Sequence, residues 1–182
     1  TLDTLIENLQ KDSRKCNDIV TAGGCFALVQ LVQICLQKAS KTNRRGCHLV
    51  TELDERSELK CLCHTLRVII RLTYRHEESK VGINAIGGIQ AVVDVMRTFP
   101  QCQDLQRTAC NTLYNLTCCS IGKKKAVEAN AMQVLLDAVH NHQDNSPLCE
   151  RALFAMQHII KGSKERTRLF LASGVSTTTA AV

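Results

Sequence analysis

Several features are scarce or missing in this 182-residue chain. It has no tryptophan and only 2 prolines, and aromatic residues make up 3% of it. Sandwiches and barrels need glycine and proline at frequent turns, so an apolar fraction of 45% carried by aliphatic residues and cysteine favours helices. No apolar run approaches the roughly 18 residues of a membrane span, and the N-terminal TLDTLIENLQK lacks a basic region followed by an apolar stretch. We therefore expect a helical domain that is neither membrane-inserted nor secreted.

The charge of the chain is moderately positive. Its 23 basic and 17 acidic residues give a net charge of +6, and the longest basic run is Lys123 to Lys125. Basic residues are spread along the chain, and few aromatic side chains are present to stack on bases. We predict no nucleic-acid partner.

Cysteine is abundant, but its spacing is not that of a metal or disulfide framework. The 11 cysteines are odd in number and include no C-x-x-C pair, and most fall where a helical pattern needs a small apolar residue. We expect reduced core thiols in a cytoplasmic protein, which could also be nuclear. Two groups come nearest to zinc-ligand spacing, Cys61 with Cys63 and His64, and His140 with His142. Neither has a second pair, so we predict no metal and no other cofactor.

Catalytic signatures are also missing. The chain has no G-x-S-x-G, P-loop or H-E-x-x-H motif. His76, Glu77 and Glu78 are interpreted as solvated charge in a loop. We predict no catalytic residues and no enzyme activity.

The sequence repeats itself with a period of 43 residues. IGGIQAVVDVM from Ile86 matches ANAMQVLLDAV from Ala129, and DLQRTACNTLYNL from Asp104 matches PLCERALFAMQHI from Pro147. AGGCFALVQLV from Ala22 fits the same pattern at an offset of 64, which indicates an interruption in the first unit. That insertion lies at about residues 37–56, and its mixed polar composition predicts a solvated loop with a helical turn near residue 50.

Each unit is predicted to form three helices. A helix follows the Gly87-Gly88 turn, and another begins near Pro147, with Ser146 or Asn145 as its cap. The last helix of the second unit has an apolar stripe along one face, formed by Leu105, Ala109, Cys110, Leu113 and Leu116.

Together, GGIQAVVDVM and LQRTACNTLYNLT resemble the armadillo repeat, whose small-residue, Leu and Asn-Leu positions match Ala109, Cys110, Leu113, Asn115 and Leu116. The resemblance implies an all-α, right-handed α-α superhelix with about three full repeats and partial repeats at both ends. The armadillo domain would span residues 1–175, and residues 176–182 would form a disordered tail. The predicted repeats lie at about 1–11 (partial), 12–73, 74–117, 118–161 and 162–175 (partial).

Two departures from the family pattern have consequences. Asn130-Ala131 replaces the Gly-Gly turn in the third unit, which is tolerable because Asn can adopt a left-handed conformation. The chain starts with Thr1 and both its ends fall within a repeat, so we expect it to be part of a longer chain.

Armadillo proteins bind extended peptides in a concave groove lined by third helices, and an Asn of each helix often clamps the ligand backbone. The register places Asn8, Val68, Asn115 and His158 at this position. An amide can both donate to and accept from a main chain, whereas Val68 interrupts the row. In the alternative interpretation, Asn8 and Asn115 are exposed or bond a neighbouring segment.

The nuclear-import receptors of this family place a Trp one turn before each Asn, where this chain has Thr4, His64, Asn111 and Phe154. Without Trp, and with Arg and Lys near the same face, a basic ligand would meet like charge. We therefore predict an acidic or phosphorylated ligand. The predicted groove residues are Asn8, His64, Arg71, Arg107, Asn111, Asn115, Phe154, His158 and Lys161.

We predict a scaffold or adaptor for protein-protein interaction, which binds an extended peptide or a partner protein in this groove. Three alternatives stay open: a protein like the nuclear-import receptors, one like the armadillo regulators of small GTPases, and the non-catalytic interaction region of a larger enzyme.

Overall fold

The structure, a computed structural model, describes residue 4 and residues 14–44 and 52–172, and within these ranges it is helical, without strands. The helices are α1 (Arg14–Thr21), α2 (Gly24–Arg44), α3 (Glu52–Thr73), α4 (Glu77–Ala85), α5 (Gly88–Thr98), α6 (Gln103–Leu116), α7 (Ser120–Glu128), α8 (Ala131–Asn141), α9 (Ser146–Ile160) and α10 (Lys164–Ala172). The predicted all-α class is confirmed for these residues. Apart from residue 4, the predicted partial repeat at 1–11, including Asn8, lies outside them, and so does the predicted tail at 176–182.

The helices follow one another in triplets, and within each triplet the helices increase in length. Helices α4 to α6 have 9, 11 and 14 residues, and α7 to α9 have 9, 11 and 15. Each helix of the second of these triplets begins 43 residues after its counterpart in the first. The period of the sequence therefore coincides with the period of the helices.

The predicted loop at residues 37–56 is largely wrong. Helix α2 continues to Arg44 and α3 begins at Glu52, so helix covers both ends of this segment, and residue 50 lies outside the described residues. The segment contains Gln, Lys, Ala, Arg, Glu and Leu, which are good helix formers. A polar composition with mixed charges suits a helix as well as it suits a loop.

One turn recurs between the first and second helices of each triplet. Gly23, Gly87 and Asn130 occupy it with φ of 77°, 86° and 54°. Glycine adopts this left-handed conformation without a steric penalty, and Asn is among the few other residues that tolerate it. The prediction that Asn130 replaces a turn glycine is confirmed.

The residue after this turn packs closely on the preceding helix. A Cβ added to Gly88 would collide with Cγ2 of Ile83 and lie 2.8 Å from its carbonyl oxygen, and Gly24 stands in the same relation to Ile19. The third turn has Ala131 at this position, and Ala126 replaces the isoleucine. Ala131 thus has one methyl group more than Gly88, and Ala126 compensates with a smaller side chain than that of Ile83.

The triplets pack in register on one another. First helices contact first helices (α1 with α4, α4 with α7), and the same holds for the second helices (α2, α5, α8) and the third helices (α3, α6, α9). The core lies between these rows. The apolar stripe predicted for α6 is confirmed, because Leu105, Ala109, Cys110, Leu113 and Leu116 are all fully buried.

Polar side chains also join successive triplets. Asn84 Nδ2 donates to the Leu116 carbonyl at 3.0 Å, and Arg97 donates to that of Ala129 at 3.1 Å. These bonds satisfy carbonyl groups at helix ends, which have no partner within their own helix.

His76 is not the solvated loop residue that the sequence predicted. It is half-buried and caps α4, since its Nδ1 accepts from the Ser79 backbone N–H at 3.2 Å. Its Nε2 lies 2.6 Å from Oδ1 of Asn17 on α1. His76 therefore connects two successive first helices.

Within the described ranges, no single helix is long and apolar enough to cross a membrane. Residues 15–21 and 24–39 meet the criterion of length and composition only when taken together, and a bend of 72° separates them.

Candidate functional site

The predicted site residues lie mainly on the third helices, α3, α6 and α9, which pack side by side. Helix α3 carries His64 and Arg71, α6 carries Arg107, Asn111 and Asn115, and α9 carries Phe154 and His158, with Lys161 at its C-terminal cap. We call these three helices the third-helix row. The structure thus brings the described candidates to one row of helices, whereas Asn8 is outside the described residues.

Asn115 already has a partner within the chain. Its Nδ2 donates to the carbonyl of Ile70 on the neighbouring helix α3 at 3.2 Å. The bond supports the interpretation that Asn115 satisfies a neighbouring segment, and it leaves Oδ1 as the atom that could accept from a ligand N–H. Val68, which occupies the same position on α3, is fully buried and belongs to the core.

Aromatic rings bridge α6 and α9. The Tyr114 ring lies 4.5 Å from the His158 ring and 6.3 Å from the Phe154 ring, between centroids. Tyr114 and His158 are half-buried, and Phe154 is 37% exposed. We call these three residues the aromatic cluster; it presents an apolar, partly solvated surface of the kind that recurs at protein interfaces.

Sequence reasoning found Phe154 and His158 but missed Tyr114. The repeat contained a usable signal, because stacked third helices place residues about 43 apart side by side. Tyr114 lies 40 residues before Phe154 and 44 residues before His158. The first separation is about one helical turn shorter than the 43-residue period, and the second is one residue longer. Searching for aromatic residues near this separation would have detected the cluster.

The surroundings of His158 are positively charged. Burial lowers the pKa of His158 below its ordinary value, and the charges of Lys123 and Lys161 lower it further. Both lysines disfavour the imidazolium because they already create a positive potential at the ring. The same potential attracts an anionic group brought to this surface.

Cys118 borders the aromatic cluster. Its Sγ lies 3.4 Å from Nδ1 of His158, and desolvation of the sulfur raises the pKa of the thiol. Lys80, Lys123 and Glu77 also act on it electrostatically. Thiol and imidazole therefore meet as two neutral groups, without the activated thiolate that nucleophilic chemistry needs.

The predicted cationic residues of the row differ in how accessible they are to an anionic ligand. Arg71 and Lys161 are exposed, whereas Arg107 is half-buried and donates to the Asp104 carboxylate at 3.3 Å. Ion pairs at this degree of exposure contribute little stability, so a ligand carboxylate or phosphate could replace Asp104. His64 and Asn111 are half-buried.

A small cavity lies between α4, α5 and α7, with Asn84, Gly87, Lys125 and Glu128 among its lining residues. Its volume of about 180 Å³ is below the roughly 300–1,000 Å³ of typical ligand pockets. Among the described residues, no group of three His, Cys, Asp or Glu side chains is arranged to hold a metal ion. The candidate zinc residues have other contacts, since Cys61 faces Cys35 and His142 Nε2 lies 2.8 Å from the Pro100 carbonyl oxygen.

Comparison with known proteins gives a limited likeness. No protein-family model matches the chain. A stretch of 120 residues is 27% identical to Protein aardvark of Dictyostelium discoideum, covering 59% of this chain and 16% of that protein. The chain thus spans a small part of that relative's length.

Proposed function

We propose that this chain is an armadillo-type scaffold that binds an extended acidic or phosphorylated segment of a partner protein along the third-helix row. In this proposal the rows of equivalent helices curve into a right-handed superhelix, and the third helices line its concave side. The chain acts by binding and carries out no catalysis of its own.

The packing in register supports the repeat architecture. Helices separated by 43 residues contact each other in all three rows, and the left-handed turn recurs at the same point of each triplet. Repeat proteins stack equivalent units in this way, and each unit completes the core of its neighbour. A surface that runs across several units suits a ligand in an extended conformation.

The proposal of an acidic or phosphorylated ligand rests on the aromatic cluster and its positive surroundings. Tyr114 and Phe154 offer ring faces to an apolar side chain or to the main chain of a peptide, while Lys123 and Lys161 set the positive potential at His158. A carboxylate or phosphate beside an apolar residue would satisfy both features. A basic segment would meet like charge there, and the chain has no tryptophan to hold its aliphatic stems.

The test measures binding of three fluorescein-labelled peptides of equal length by fluorescence anisotropy. One peptide is rich in Glu around a central Phe, one replaces two Glu with phosphoserine, and one replaces all Glu with Lys. We expect the two acidic peptides to bind and the Lys peptide to bind at least about tenfold more weakly, which corresponds to ~1.4 kcal/mol. Preference for the Lys peptide would refute the proposal and support a protein like the import receptors.

Variants locate the binding surface. Charge reversal at Lys123 and Lys161 together, and separately Phe154→Ala, should each weaken binding of the acidic peptides. Lys124→Glu together with Lys125→Glu is the matched control, because both are exposed lysines on α7 beside Lys123 and their reversal changes the net charge by the same amount. An equal loss of affinity in the control would mean that net charge alone determines binding, and it would contradict the assigned surface.

A second set of variants tests the polar groups of the row. Replacing Asn115, Arg107 and Arg71 together with alanine should also weaken acidic-peptide binding. Unchanged binding in this triple variant would exclude these residues from the site. A far-UV circular dichroism spectrum confirms that each variant is folded.

A further inference from the structure

Two thiols from different helices lie in direct contact. Cys35 on α2 donates its S–H to Sγ of Cys61 on α3, with the sulfurs 3.7 Å apart. Cys35 is only 6% exposed, whereas Cys61 is half-buried. The two residues are 26 positions apart and flank the interruption in the first repeat unit.

We propose that Cys35 and Cys61 form a dithiol modification site that glutathione disulfide, or another low-molecular-weight disulfide, converts into a cross-link between α2 and α3. Disulfide sulfurs are about 2.05 Å apart, so the two must approach by about 1.7 Å. This movement requires rotation of the two side chains about their Cα–Cβ bonds. The site is separate from the third-helix row's aromatic cluster and does not depend on the proposed ligand.

The contact assigns a role to each sulfur. Cys61 is the more accessible sulfur, so a small disulfide from solution meets it before it meets Cys35. Cys61 is therefore the attacking thiol and Cys35 the resolving thiol. Burial raises the pKa of Cys35 to about 12, and the hydrogen bond and charge of Cys61 contribute to the rise.

The reaction consists of two exchange steps. The Cys61 thiolate attacks one sulfur of glutathione disulfide, so a Cys61–glutathione bond forms, the glutathione disulfide bond breaks and one glutathione thiolate leaves. Cys35 then loses its proton to that thiolate or to solvent and attacks the Cys61 sulfur, which expels the second glutathione. Two protein thiols are oxidised to one disulfide, one glutathione disulfide is reduced to two glutathione molecules, and the two thiol protons end on those molecules.

The experiment exposes the reduced 182-residue chain to glutathione disulfide, blocks the remaining thiols with N-ethylmaleimide and maps the tryptic peptides by mass spectrometry. We expect a cross-linked species that has lost two hydrogen masses, in which fragmentation joins Cys35 to Cys61. Addition of dithiothreitol should restore both thiols. Because this result needs no substitution, it does not depend on a variant that folds.

Variants test the assigned order. Cys35→Ser should lose the cross-link and retain one glutathione on Cys61, while Cys61→Ser should lose the cross-link and leave Cys35 free. Cys63→Ser is the matched control, since Cys63 is half-buried two residues further along α3, and it should keep the cross-link. A stable glutathione adduct on Cys61 of the unaltered chain, or a cross-link mapped to another cysteine pair, would overturn the proposal.

Discussion

The exchange of side-chain size at the recurring turn leads to a quantitative prediction about Gly88 and Ile83. Gly88→Ala puts a methyl group against Cγ2 of Ile83 and 2.8 Å from its carbonyl oxygen. Overpacking of this kind costs about 1–3 kcal/mol. Ile83 is fully buried, so Ile83→Ala leaves a cavity and costs about 2–5 kcal/mol.

The double variant should be more stable than Ile83→Ala alone. The alanine at position 88 fills part of the cavity left at position 83, and replacing glycine by alanine at negative φ reduces the conformational entropy of the unfolded chain, which stabilises by about 0.4–1 kcal/mol. The third turn already holds this combination as Ala126 and Ala131, with a left-handed Asn130 between the helices. We expect a coupling free energy of at least ~1 kcal/mol between the two substitutions.

Urea denaturation followed by far-UV circular dichroism provides the free energies of unfolding for this double-mutant cycle. Gly87→Ala serves as the control. No atom lies within 4 Å of a Cβ added to Gly87, so its cost comes from positive φ, and it should be additive with Ile83→Ala. If Gly88→Ala and Ile83→Ala were additive within ~0.5 kcal/mol, the proposed exchange of volume would be refuted.

Two further predictions concern a helix cap and a titration. Asn145→Ala should reduce the free energy of unfolding by ~1 kcal/mol in urea denaturation, because Oδ1 of Asn145 accepts from the Leu148 N–H at 3.1 Å, and Asn145→Ser should restore most of the loss. His158 has a lowered pKa in the folded chain, so the unfolded chain takes up its proton first as the pH falls below ~6.5, and stability should decrease there. His158→Gln should make the fall in urea midpoint between about pH 7.5 and pH 5.5 shallower, and an unchanged pH dependence would contradict the assigned cause.

The sequence predicted the helices and their period better than it predicted side-chain partners. The apolar stripe of α6 and the left-handed turn at Asn130 depend on spacing within one segment, and the structure confirms both. The bond from Asn115 to Ile70 depends on how two helices are rotated against each other. A period tells which helices are neighbours but leaves that rotation open.

The helical ends of the interruption were missed for another reason. Residues 37–44 and 52–56 combine charge with good helix propensity, and composition alone cannot separate a polar helix from a polar loop. The sulfur contact between Cys35 and Cys61 crosses this interruption. Because the 43-residue period is broken between them, no repeat offset relates the two positions.

The packing of each helix on its counterpart also has a kinetic consequence. The substantial contacts of the described helices lie within one triplet or between successive triplets, so contacting residues are separated by modest lengths of chain. Chains of low contact order fold fast because few long loops have to close before native contacts form. Each triplet is therefore a potential nucleus, and growth from it needs only the docking of the triplet on either side.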